Sequence, residues 1–166
     1  MKGFMERFRK DFELYIGSIF LSITTVLVIM NVYTRYFLKF TYHWVDEIAV
    51  GAFVWVIFLG FANAYRNNDL IGVEVLMKLL PKKGRMIVDF ITHIIVSILS
   101  GAMLFFSYKY VIGSTKITAA LEFSYKYINA SIIVAFALIT FYSLFYAVKG
   151  FKKIFLDDTL DDSIDK

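Results

Sequence analysis

Residues 44–65 read WVDEIAVGAFVWVIFLGFANAY. Within these 22 residues the only charges, Asp46 and Glu47, fall in the first turn. The rest is long and apolar enough to cross the roughly 30 Å hydrocarbon layer as a helix, which takes about 20 residues. Three more stretches match it: 14–33 and 127–148, both uncharged, and 86–108, with Asp89 and His93 near its start. The composition agrees, at 59% hydrophobic and 19% charged. Soluble domains of this size run nearer 45–50% and about 25%. Mean hydropathy is +0.66. In lipid the backbone must bond to itself, so these spans are helices. A transmembrane barrel would show alternating segments of roughly ten residues, and none is present.

The expected fold class is an all-α integral membrane protein with four transmembrane helices. The first span is too long for the apolar core of a signal peptide, and Val32-Tyr33-Thr34-Arg35 offers no small-residue cleavage site; it reads as a retained anchor. Basic residues set the orientation. The N-terminal segment, the loop after span two and the C-terminal segment hold thirteen Lys and Arg, against five in the other two loops. Both termini are therefore expected in the cytoplasm. The pI of about 9.2 reflects this flanking, and no nucleic-acid module accompanies it.

Two segments suit the membrane surface. Phe4, Phe8 and Phe12 recur every four residues among charged neighbours, an amphipathic helix over about 3–12. In 72–80, Val73, Leu76, Met77 and Leu80 form one apolar stripe, closed by Pro81 and anchored to anionic headgroups by Lys82 and Lys83. Residues 1–156 thus form one membrane domain, and the acidic stretch 157–166 reads as a solvated tail.

Catalytic chemistry finds little support. The absence of cysteine excludes disulfides, zinc-thiolate sites and iron–sulfur clusters. The two histidines, His43 and His93, fall near opposite membrane faces in this topology and cannot share a haem iron. No nucleophile–base pair or phosphate loop is visible, so neither enzyme activity nor a cofactor is expected. Asp46 and Glu47 read either as helix-start chemistry, favoured by the helix dipole, or as a partner contact or solute entrance. Asp89 and His93 share one helix face and either satisfy each other or relay protons. The spans carry no continuous polar stripe. Small residues four apart, Gly60 with Ala64 and Ser97 with Gly101, with Ala130 and Ala135 on span four, suit close helix packing instead.

Around span two the sequence resembles the small membrane subunit (DctQ type) of tripartite ATP-independent periplasmic (TRAP) transporters. The resemblance rests on Arg35-Tyr36, on Trp44-Val45-Asp46-Glu47, and on the core Phe53-x-Trp55-x-x-Phe58-x-Gly60. Arg66, Leu70-Ile71 and Glu74 continue it. Val45, Asp46 and Leu70 depart from the family's usual hydroxyl residue, first glutamate and histidine. The resemblance implies a non-catalytic subunit of the bacterial inner membrane. It would steady the fixed scaffold of a large elevator-type permease that carries sodium and an organic acid, a C4-dicarboxylate or sialic acid. A periplasmic binding protein would deliver that acid, and the sodium site would belong to the large subunit. Arg35, Trp44, Asp46, Glu47, Trp55, Gly60 and Arg66 become the candidate partner contacts. A reading from another class keeps Asp46, Glu47, Asp89 and His93 as the lining of a small self-assembling proton or cation channel.

Overall fold

The computed structural model describes residues 12–67 and 81–164, with side chains described for 12–67, 81 and 84–152. Four helices account for most of it: α1 (Phe12–Phe37), α2 (His43–Asn67), α3 (Lys82–Gly113) and α4 (Lys126–Ile164). They cover the four stretches expected from the sequence, and all four are long and apolar enough to span a membrane. No strand occurs among the described residues. The nearest approach to one is a single antiparallel bridge, Ile117 with Ser124. The expected surface helices at 3–12 and 72–80, with Phe4, Phe8, Leu76 and Leu80, lie outside the described residues apart from Phe12. So do the side chains of Lys82, Lys83 and the acidic stretch, through which the α4 backbone stays helical to Ile164.

Local chemistry explains the ends. Pro81 immediately precedes α3, where its missing N–H costs nothing, and its carbonyl accepts the Arg85 amide at 2.9 Å. The chain leaves α1 through Lys39, which takes a left-handed φ of 53° while the Leu38 and Phe40 amides both donate to the Thr34 carbonyl. The loop between α3 and α4 folds back on itself. The Thr118 amide donates to the Phe123 carbonyl at 2.8 Å and the Tyr125 amide to the Lys116 carbonyl at 3.1 Å, with Glu122 at a φ of 54° near the tip.

The chain divides into two compact units. The first comprises residues up to Asn63 together with Phe105–Ala135, and the second Ala64–Leu104 together with the chain from Phe136 onward. In the first unit α2 meets its neighbours through small residues. Val45, Ala49, Ala52 and Leu59 are buried at spacings of four, three and seven, the seam of a left-handed helix crossing. Gly51 is the closest approach: a Cβ there would stand 3.3 Å from the Ile128 side chain of α4. α1 inverts the pattern of a soluble helix. Its buried residues are Glu13, Asn31 and Thr34, all polar, while Ile19, Val26, Ile29 and Val32 are more than half exposed. Its hydroxyls at Ser18, Ser22, Thr24 and Thr25 turn back onto carbonyls four residues earlier at 2.7–2.9 Å, which satisfies them within the helix, and Thr24 also reaches the Ala49 carbonyl of α2 at 3.5 Å.

In the second unit the helices are joined by polar contacts. The Thr140 hydroxyl donates to Ser100 at 2.9 Å, Ser143 to the His93 carbonyl, and Tyr146 to the Arg66 carbonyl at 2.8 Å. Such bonds between membrane helices each contribute about 0.6 kcal/mol on average.

Gly51 and Gly60 separate two uses of glycine, since nothing lies within 4 Å of a Cβ built on Gly60. Gly51→Leu should overpack the α2–α4 contact, at a cost of about 1–3 kcal/mol, and lower the melting temperature of the purified chain in detergent. Gly60→Leu should leave that melting temperature unchanged.

Candidate functional site at the start of α2

The first turn of α2 brings together residues from three separate parts of the chain. Glu47 uses both carboxylate oxygens on the α3–α4 loop: Oε1 accepts the Ala120 amide at 2.8 Å and Oε2 the Leu121 amide at 3.0 Å. A carboxylate receiving two backbone N–H groups is a strong, charge-assisted arrangement, and it pins the loop tip to α2. Asp46, one residue earlier, turns to α1 instead. It accepts from the Asn31 side-chain amide and stands 4.0 Å from the Arg35 guanidinium, with both side chains a little over half exposed. An ion pair so exposed contributes only about 0–1 kcal/mol, so the contact orients Arg35 more than it stabilises α1. Asn31 is buried, and its Oδ1 meets no donor among the described residues.

Aromatic residues frame this turn. Trp44 sets its ring edge against Tyr42 at 6.0 Å, and Tyr42 does the same against Phe40 at 4.8 Å. Two turns further along α2, Trp55 stacks on Phe20 of α1 at 5.5 Å, and its indole N–H reaches the Tyr127 carbonyl at 3.3 Å. Glu47 and Trp55 therefore hold the two sides of the same returning segment.

The second unit has its own polar cluster. The His93 Nδ1 lies 2.9 Å from the Tyr65 hydroxyl, and its Nε2 lies 3.6 Å from Asp89. Its ring faces Tyr146 at 5.3 Å. Arg66 lies over the Tyr142 ring at 5.8 Å. Among the described residues, no three His, Cys, Asp or Glu gather in a way that could hold a metal ion.

The model of the DctQ component of tripartite ATP-independent periplasmic transporters matches residues 24–153, from the middle of α1 into α4. The chain belongs to the DctQ family. A Haemophilus influenzae protein named as a TRAP transporter small permease protein is 33% identical over 98 residues, a stretch covering 59% of this chain and 60% of that relative. This DctQ-family chain thus spans less than two thirds of the length of the curated relative it matches.

The sequence-derived candidates in the DctQ chain separate into three groups. Arg35 lies beside Asp46, Glu47 faces the α3–α4 loop instead, and Trp44 sits against Tyr42. Trp55 is engaged inside the first unit. Gly60 is exposed, with open space around it, and Arg66 lies in the second unit against Tyr142. Sequence reasoning missed Asn31, the Ala120 and Leu121 amides, and Tyr65. Asn31 left one usable signal, a lone amide four residues before Arg35 in an otherwise uncharged span. The loop amides left none, because a backbone donor carries no residue identity.

Glu47→Ala should leave the Ala120 and Leu121 amides without acceptors and speed their hydrogen exchange, while Asp46→Ala leaves those two amides protected. Tyr65→Phe removes one neutral hydrogen bond. It should lower the stability of the purified chain by about 0.5–1.5 kcal/mol in a detergent unfolding titration.

Proposed function

We propose that this DctQ-family chain is a non-catalytic support subunit of a TRAP-type transporter for organic acids. In this reading it packs against the fixed scaffold of a large permease subunit and leaves sodium and substrate binding to that partner. A C4-dicarboxylate or sialic acid fits the substrate class, with delivery by a periplasmic binding protein. The basic-residue asymmetry supports an inner-membrane placement with both termini in the cytoplasm.

One observation carries the proposal: Asp46, Glu47, Asp89 and His93 all have partners within the chain. Glu47 is taken by loop amides, Asp46 by Asn31 and Arg35, and His93 by Tyr65 and Asp89. Side chains spent on holding elements in place are poor stepping stones for a solute. The same engagement weakens the alternative of a self-assembling cation channel, which would need Asp46, Glu47, Asp89 and His93 to face a pore. The apolar residues of α1, most of them exposed, leave room for lipid and a larger partner.

Co-expression with a large permease and a solute-binding protein encoded beside it tests the reading. The chain should co-purify with the permease from detergent, and liposomes holding the chain alone should show no uptake and no ion flux. Trp44→Ala combined with Glu47→Ala should lower uptake by the complex by loosening assembly, with the solute affinity of the binding protein unchanged. Ion flux through the chain alone, abolished by Asp89→Asn, would favour the channel instead.

A further inference from the structure

The first unit contains a cavity of about 500 Å³ between α1, α2 and the returning α3–α4 loop. Phe20 and Ile23 of α1 form one wall, Ala52 and Trp55 of α2 the floor, and Leu121 and Phe123 of the loop the roof. This volume falls within the range of about 300–1,000 Å³ typical of ligand sites.

The few polar groups at its edge are already used. Both Glu47 oxygens hold loop amides, Thr118 Oγ1 accepts the Phe123 amide, Ser124 Oγ accepts the Lys126 amide, and the Trp55 N–H is given to Tyr127. An occupant therefore gains chiefly from apolar contact. The walls belong to helices of membrane length, so the hydrocarbon that reaches them first is a lipid tail. Left empty, the cavity would forfeit the dispersion contacts of its lining on one side. Ile23 and Phe123 remain 42% and 60% exposed, which gives a chain a way in. The exposed Lys116 and Lys126 flank the base of the loop, where the Lys116 carbonyl pairs with the Tyr125 amide. They are cations suited to a headgroup phosphate.

We infer that this cavity is a resident phospholipid site, seating one acyl chain under a roof that Glu47 holds in place. A seated lipid differs from the surrounding annulus in that it exchanges slowly and is lost when the cavity is filled.

The full chain, purified in mild detergent and loaded with phosphatidylglycerol, should retain one phospholipid in native mass spectrometry. Ile48→Phe and Ile23→Phe, which fill the cavity from two different helices, should each reduce retention to background with unchanged helical circular dichroism. A second readout needs no change in the cavity. Trp44→Phe leaves Trp55 as the sole tryptophan, and brominated phosphatidylcholine should quench it. That quenching should persist after transfer into excess unbrominated lipid. Immediate recovery of fluorescence, retention undiminished in both filled variants, or a wild-type chain that keeps no lipid would overturn the inference. So would shielding of Trp55 from brominated lipid by a second copy or a co-purifying membrane protein.

Discussion

Hydrocarbon offers no hydrogen bonds, and that constraint organises most polar contacts among the described helices. In water, α1 would be read inside out, with Glu13, Asn31 and Thr34 buried and its isoleucines and valines outward. In a bilayer the arrangement is the favourable one, because apolar surface gains nothing by leaving lipid while an unpaired amide or carboxylate costs several kcal/mol there. The α1 hydroxyls turn back on their own helix, while polar side chains on the other helices reach a neighbour. Polar contacts between helices are consequently specific, and they work alongside the apolar seams.

Glu47 shows how this works at the membrane edge. A carboxylate in the first turn of a helix is favoured by the helix dipole alone, which is sufficient to explain its presence. Its position does more. By accepting two adjacent amides it converts the tip of the α3–α4 loop into part of the first unit, and Trp55 repeats the device on the Tyr127 carbonyl. The loop is thus tied down at both sides of its return, and the apolar space beneath it is an outcome of that tethering. Asp46 beside it works in the other direction, toward Asn31 and Arg35, so consecutive acids serve two different neighbours.

The same logic separates the two units. The first combines small-residue contacts, as at Gly51 against Ile128, with carboxylate and indole tethers. The second relies on hydroxyls and an imidazole, with Tyr65, His93, Ser143 and Tyr146 linking three helices. On α4, Ser131, Ala135, Ile139, Ser143 and Ala147 are all buried at intervals of four. This seam of mostly small residues lets neighbouring backbones approach where large side chains would hold them apart.

The class of protein, the number of spans and their rough limits were legible in the sequence, because hydrophobic length is a one-dimensional property measured against a fixed bilayer thickness. The pattern around Trp44 to Gly60 was legible for a similar reason, being contiguous, and it pointed to the family that the match over 24–153 establishes. Partner choice within the fold was not legible. Nothing in the order of residues says that Glu47 meets amides 73 and 74 positions away, or that His93 faces Tyr65 rather than Asp89 alone. Gly60 and Gly51 look alike in the sequence, yet only Gly51 sits at a helix contact. Those outcomes depend on how each helix is rotated about its own axis. That rotation is set by side chains from distant segments meeting in space, so only the tertiary structure could decide it.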